Sequence, residues 1–275
     1  MKLNLSIIPI LLFILIVFLI IIIVGIFSYL IINNINNLNK IKNNDEISIA
    51  SWNLQDFGTK KASNATLLNF YINKLKEYDL FVIQEIKDSS ANVIESLAKK
   101  LPSYNYLMSK PAGQGSSKEQ YAIFYKYTIE LLKVIDWTEK EQNNFERPPL
   151  EATLKIKNWT FTLYTIHIKT NNVAQELNNL EDLIDNTTQD TIIIGDLNAD
   201  GDNYNNGIIK NFLDWHWLIT SDMDTTVAKS SNAYDRIIIN NSTENNLISF
   251  GIMNDVNSSQ SDHYLIYAIF NPNND

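Results

Sequence analysis

The 275-residue chain has no cysteine. That excludes a disulfide framework, a thiol nucleophile, a cysteine-ligated metal and lipoprotein-type lipidation. Any part lying outside a reducing compartment must therefore fold on its core alone. Positive charge is scarce as well. Lys2, Lys40 and Lys42 are the only charged side chains before Asp45, which leaves 19 basic residues against 31 acidic ones and a formal −12 for the remainder. Such a balance argues against tight, charge-driven nucleic-acid binding. It leaves room for a metal-dependent enzyme that touches a phosphate backbone locally and lets go. Arginine is confined to Arg147 and Arg236, and histidine to His167, His216 and His263. The abundance of Asn and Ile is read first as coding bias.

What the chain does have begins with an uncharged run over residues 7–32, broken only by Pro9, Gly25 and Ser28. About 20 apolar residues suffice to cross a bilayer, and a signal-peptide core is shorter, roughly 7–15 residues, with a small-residue cleavage site. The run is expected to be an uncleaved transmembrane anchor over residues 1–32, the alternative being a cleaved signal and a secreted protein. Lys2 on one side and Lys40 and Lys42 on the other leave orientation undecided by charge. Residues 33–45 are Asn-rich and poor in apolar side chains, and read as a tether. Residues 46–275 show no repeat and no second linker, and read as one domain.

Within it, alternating or β-branched runs predict strands at 46–53, 79–84, Tyr104–Met108, Gln120–Lys126, 129–136, Leu150–Ile156, 160–169, 191–194, Asp235–Ile239, 247–251 and 264–270. Helical spacing predicts helices over 64–78, 91–101 and Val173–Ile184. The mixture suggests a layered α/β or α+β domain. The stretch TIIIGDLNAD, 191–200, organises the rest. A buried strand reaches Gly195, read as a sharp turn. Asp196 and Asn198 then follow one residue apart and face the same side if the chain stays extended. The carboxylate suits a hard cation or a water, the amide a phosphate oxygen. Asp and Asn are also ordinary turn residues.

Other strands end in the same manner, in SWNLQDFG (51–58), VIQEI (82–86), LYTIHIKT (163–170), YDRIII (234–239) and SDHYLIYA (261–268). A carboxylate such as Glu85 at the end of an apolar run is costly unless it is paired, metal-bound or at the surface. His167 and His263 fall in these segments, whereas His216, between two tryptophans, reads as a packing or surface residue. The flat guanidinium of Arg147 suits a phosphate, and Arg236 reads as a structural partner.

In that order, together with SNATL (63–67), KEQY (118–121), FERP (145–148) and DTT (224–226), these motifs resemble the endonuclease/exonuclease/phosphatase superfamily, and within it the deoxyribonuclease I-like branch. The resemblance spans about residues 47–270. It implies a four-layer α/β sandwich of two mixed β-sheets flanked by helices, here preceded by one N-terminal transmembrane helix. It implies a divalent ion, Mg²⁺ or Mn²⁺, on Asn53, Glu85 and Asp262. Asp196 and Asn198 would act at the phosphate, Asp235–His263 as base on water, and Glu119–His167 as acid on the leaving 3′ oxygen, although the sequence alone does not say which histidine is acid and which base. Arg147 and Lys87 would touch substrate. The expected activity is endonucleolytic hydrolysis of DNA with little sequence preference, leaving 5′ phosphates. The protein is expected as a monomer with no obligate protein partner and with its domain outside the cytoplasm. Alternatives are a sphingomyelinase-like lipid phosphodiesterase, a toxin-type nuclease subunit and an inactive tethered binding module.

The departures from the family pattern are Gln55 and Lys87 in place of arginines and Ser117 in place of a groove-contacting tyrosine, which weaken the expected grip on DNA. The family's disulfide would fall at Gly201 and Asn232. A calcium loop ahead of FERP is not recognisable over 138–144. Asp224 and Thr226 remain candidates for another, structural calcium site.

Overall fold

The computed structural model describes residues 46–274 except 89, 115–117, 185 and 186, together with residues 22, 25, 26 and 28. Residues up to Glu46 and residues from Ile47 onward are separate units. In the first, Ile22, Gly25, Ile26 and Ser28 are helical and exposed. The rest of the expected anchor and the tether lie outside the described residues. Among the described residues no helix is long and apolar enough to cross a membrane.

The second unit contains twelve strands among its described residues: β1 (Ile47–Phe57), β2 (Leu80–Ile86), β3 (Tyr104–Met108), β4 (Gln120–Lys126), β5 (Glu130–Asp136), β6 (Leu150–Ile156), β7 (Trp159–His167), β8 (Asp190–Asp196), β9 (His216–Trp217), β10 (Asp235–Ile239), β11 (Leu247–Met253) and β12 (Leu265–Phe270). Its helices are α1 (Thr59–Ala62), α2 (Ala65–Leu75), α3 (Asn92–Ala98), α4 (Val173–Ile184) and α5 (Asn241–Glu244). Two six-stranded mixed sheets form, in the orders β11-β12-β1-β2-β4-β3 and β5-β6-β7-β8-β10-β9. Sequence periodicity located the long elements. It gave no sign of α1, α5 or β9, which are too short to show a period. Asn64, the predicted start of a helix, caps α2 by accepting from the Leu67 amide at 3.1 Å.

Period-2 alternation sorts each strand's side chains into two faces. Ile47, Ile49, Leu80 and Val82 of the first sheet meet Leu163, Ile192, Ile194 and Ile237 of the second in a central apolar layer. Ala50, Trp52, Phe81 and Ile83 face the other way, onto Leu68 and Tyr71 of α2 and Ile94 and Leu97 of α3. Tyr164, Ile166, Ile193 and Ile238 pack on Val173, Leu177 and Leu180 of α4. The result is helix, sheet, sheet, helix, the four layers expected.

Topology gathers the functional segments at one end. β1 runs parallel to β2, and β7 runs parallel to β8. Their carboxyl ends therefore coincide. The neighbours β12, β4 and β10 are antiparallel and begin where those strands finish. At this end the inward rows turn polar: Ile47–Ile49 continues to Ser51 and Asn53, Leu80–Val82 to Gln84, Leu163 to Thr165 and His167, and Ile192–Ile194 to Asp196. All of these polar side chains are buried. A buried Leu or Ile stabilises by about 1.5–3 kcal/mol, so polar groups in those rows are tolerable only if hydrogen-bonded.

Gly195 is not a turn, contrary to the sequence reading. It lies inside β8 with φ 156, and a Cβ there would sit 2.2 Å from the Ile166 carbonyl oxygen. Glycine is needed because β7 approaches closely, not because the chain bends.

Candidate active site

The first polar rung is Ser51, Gln84 and Thr165. The Gln84 amide donates to Ser51 Oγ at 2.9 Å and across the gap to Thr165 Oγ1 at 3.2 Å. Above it, Asn53 Nδ2 donates to Glu85 Oε1 at 3.0 Å and to Asp196 Oδ2 at 2.9 Å. Asp196 is the hub. His167 Nε2 lies 3.4 Å and His263 Nε2 3.6 Å from its Oδ2.

Each imidazole is held from behind by a carboxylate of the opposite sheet. His167 ends β7 in the second sheet, and its Nδ1 lies 2.9 Å from Oε2 of Glu119, which precedes β4 in the first. His263 precedes β12 in the first sheet, and its Nδ1 lies 2.7 Å from Oδ2 of Asp235, which opens β10 in the second. Such pairing fixes ring orientation and leaves each Nε2 facing Asp196.

Charge follows from this geometry. Burial pushes the Asp196 carboxyl up, but His263, His167 and the Asn53 amide outweigh it and hold the group below its ordinary range. Burial likewise pushes Glu119 up, and His167, Arg147 and Lys87 reverse it. Asp235, fully buried, is raised by burial despite His263. Among the described residues its Oδ1 has no hydrogen-bond partner. Burial alone would lower His263, yet Asp235 and Asp196 raise it to about 10.

Of the predicted ion ligands, Asn53 and Glu85 touch each other, while Asp262 lies beside His263. Glu85 takes a left-handed φ of 58, which turns its carboxylate from the strand's own face toward Asn53. Its Oε2 accepts from the Asp56 amide at 2.8 Å. Asp262 is half-exposed, with Oδ1 3.8 Å from His263 Nε2. Asp196, Asp235 and His263 also bring one potential ligand atom each within 4.8 Å of one another. The side-chain oxygens of Asn53, Glu85, Asp196 and Asp262 are the donor type that a hard divalent cation takes. The Asp224 loop is held together from within. Asp224 Oδ1 already accepts from Thr226 N at 3.0 Å, Thr226 Oγ1 at 2.9 Å and Asn232 N at 3.2 Å, which closes the loop on itself.

Other expectations are redrawn. Asn198 does reach the site, but by a turn at φ 48 and not by a continued strand. Its N–H donates to Asp196 Oδ1 at 3.1 Å, and its side-chain amide donates to the Ile168 carbonyl at 2.9 Å. Arg147 lines the cleft behind His167, donating to the His167 carbonyl at 2.9 Å with Nε 3.6 Å from Glu119. Lys87 pairs with Asp56 and lies 3.6 Å from Glu119. Arg236 is fully buried on the outer face of β10, donating to the Ile219 and Ala199 carbonyls, both at 2.6 Å. His216 is away from the cleft, 2.9 Å from Asn241 Oδ1. Gly201 and Asn232 are neighbours, since a Cβ on Gly201 would lie 2.7 Å from Asn232 Oδ1.

The sequence reading missed Gln84, Thr165, Thr225 and Ser261. Ser261 Oγ donates to the Asn53 carbonyl at 2.7 Å and accepts from the His263 amide at 3.1 Å. Thr225 Oγ1 accepts from the Asp235 amide at 3.1 Å. Gln84 carried a usable signal, a polar residue in phase with Leu80 and Val82. Thr165 carried the same signal in phase with Leu163, whereas Thr225 and Ser261 carried none.

Residues 50–263, most of the chain, match the Endonuclease/Exonuclease/phosphatase family. The chain belongs to that family. It is similar to deoxyribonuclease-1 of Bos taurus, 27% identical over 255 residues that cover 79% of this chain and 90% of the relative. Deoxyribonuclease gamma of Mus musculus is 29% identical over 221 residues, 70% of each chain. Among solved structures, D. rerio TDP2 complexed with a single strand DNA product superposes with a TM-score of 0.59 at 18% identity, covering 82% of this chain and 99% of that one. A mannosyl-6-phosphatase from Bacteroides thetaiotaomicron superposes with a TM-score of 0.59 at 15% identity, covering 81% and 98%. At those identities the structures speak for the fold. Within the family, the deoxyribonuclease I-like branch is the one that sequence similarity singles out.

Proposed function

We propose that this protein is a divalent-metal-dependent endonuclease that hydrolyses phosphodiester bonds of DNA with little sequence preference, leaving 5′ phosphates and 3′ hydroxyls. The observation that carries the reading is the pair of histidine–carboxylate dyads facing each other across Asp196. Two proton-transfer groups on opposite sides of one anionic hub suit an in-line displacement at phosphorus, with one group for the attacking water and one for the leaving oxygen. The deoxyribonuclease relatives supply the substrate class.

In this reading Asn53, Glu85 and Asp262 hold the ion, with Asp196 beside it. Bound there, the ion would offset the carboxylate field and stabilise charge building on phosphorus. His263, oriented by Asp235, takes the proton of the attacking water. It can do so only when the negative charge that keeps it protonated is offset. His167, oriented by Glu119, gives its proton to the leaving 3′ oxygen. Arg147 stiffens the turn after His167 and offers its remaining N–H groups to the phosphate, while Lys87 adds charge at the rim. Asn198 braces Asp196.

Incubation of the protein with plasmid DNA, RNA and sphingomyelin, with and without Mg²⁺, tests this. Nicking of the plasmid only with the ion is expected. Undiminished cleavage in excess chelator would defeat the metal role, and turnover of sphingomyelin alone would defeat the substrate.

The domain is further proposed to sit outside the cytoplasm, anchored by residues 7–32, because an unspecific nuclease facing the cytoplasm would meet the cell's own DNA. A tether of residues 33–45 at up to about 3.3–3.6 Å per residue allows a reach of at most roughly 45 Å. Protease added to intact cells should remove the domain. Protection until lysis would sink the placement.

A further inference from the structure

Past Ser51 the β1–β12 ladder has ended, its last pair being Ser51 with Ile266. Asn53 and Asp262 both lie beyond that point, on chain ends that sheet hydrogen bonds no longer hold together. Side chains stitch them instead. Trp52 Nε1 donates to the His263 carbonyl at 2.9 Å, and Ser261 Oγ to the Asn53 carbonyl at 2.7 Å. The third stitch is Lys61, on α1. Its ammonium donates to the Leu54 carbonyl at 2.8 Å and to the Gln260 carbonyl at 2.9 Å. Tyr71 donates to the same Gln260 carbonyl. Leu54 follows Asn53 directly, and Gln260 lies two residues before Asp262.

An ammonium half withdrawn from water ordinarily seeks a carboxylate. Asp56, Glu85 and Asp262 all act on this one electrostatically, yet two of its three hydrogens go to neutral main-chain oxygens on two different segments. That is the geometry of a clamp, not of an ion pair.

We propose that Lys61 is a positioning residue that holds the Asn53–Glu85 side of the cleft at a fixed separation from Asp262, and so sets the affinity of this end of the site for a divalent cation. The inference rests on the metal-dependent reading above. It makes a prediction of sign. Taking a positive charge from among three carboxylates should, by Coulomb's law alone, tighten the binding of a dication. Releasing the clamp should weaken it, because groups that orient ligands from behind typically contribute about 10–100-fold to metal affinity.

The test is Mn²⁺ binding to the full-length chain, followed by the loss of the free-ion paramagnetic resonance signal, which needs no turnover. Native protein, Lys61→Met and Lys61→Arg are compared, with melting temperatures in chelator as a check on folding. Weakening by about 10–100-fold in Lys61→Met, with Lys61→Arg close to native, is the expected result. Unchanged or tighter binding by Lys61→Met would overturn the clamp. Absence of Mn²⁺ binding by the native chain would overturn the metal reading itself. Should Lys61→Met fail to fold, Tyr71→Phe removes one hydroxyl from the same carbonyl. A several-fold weakening there supports the clamp, and native affinity refutes it.

Discussion

Asp196 is reached by Asn53, His167, His263 and the Asn198 amide, so at the residue scale the histidines are best understood through it. Replacing His167 or His263 by alanine is expected to lower plasmid nicking by about 10²–10⁴-fold each, the usual contribution of a positioned acid or base. His216→Ala should leave the rate near native, and a nicking assay on the three purified variants checks this. The charge on His263 gives a second prediction. Its value in the folded protein, about 10, exceeds the ordinary 6.5. In chelator, the stabilisation from its charged form is therefore fully present below about pH 6.5 and is lost as pH rises through about 10. Asp235→Asn removes the strongest of the groups that raise it, and should move the midpoint down. With three histidines in the chain, proton NMR of the imidazoles can follow this directly. His167 and His263 stood out in the sequence as a rare residue type, and the carboxylates and amides by their place beside strand termini. Their partners were not all legible: Ser261 and Thr225 act through hydroxyls that look like any loop residue.

At the scale of elements, strand positions were legible from alternation, and the carboxyl end of each parallel strand was marked by a change from apolar to polar. The turns were less so. Glu85 and Asn198 each adopt a left-handed backbone that no period announces, and the extended-chain argument for Asn198 failed for that reason. Gly195 shows the same limit, since its reason for being glycine is the neighbouring strand. Gly195→Ala would place a methyl 2.2 Å from the Ile166 oxygen, and the contact is with main chain, which cannot rotate away. We expect a loss of at least about 1–3 kcal/mol, the usual cost of overpacking, read as a lower denaturation midpoint. Nicking should fall too, because His167 and Asp196 are the next pair in the same ladder.

For the whole molecule, the formal −12 beyond the tether and the prior engagement of Arg147 and Lys87 with Glu119 and Asp56 point to a light hold on DNA. The logarithm of affinity should fall with the logarithm of salt at a slope shallower than about −3, corresponding to some three phosphates. Filter binding in chelator across a salt series measures it, and a steep slope with nanomolar affinity at physiological salt would contradict it. The placement of the dyads has a consequence of its own. His263 and Asp235 come from different sheets, as do His167 and Glu119, and as do Asn53 and Asp196. The working gap is thus the jaw of a caliper, and the hydrocarbon filling between the sheets is its spacer. Sheets stacked about 10 Å apart and packed as densely as a crystal give a jaw that does not drift. A single methylene added or removed at Val82 or Ile194 would therefore be felt as a change of setting at the imidazoles, which lie just beyond the polar rungs those residues support.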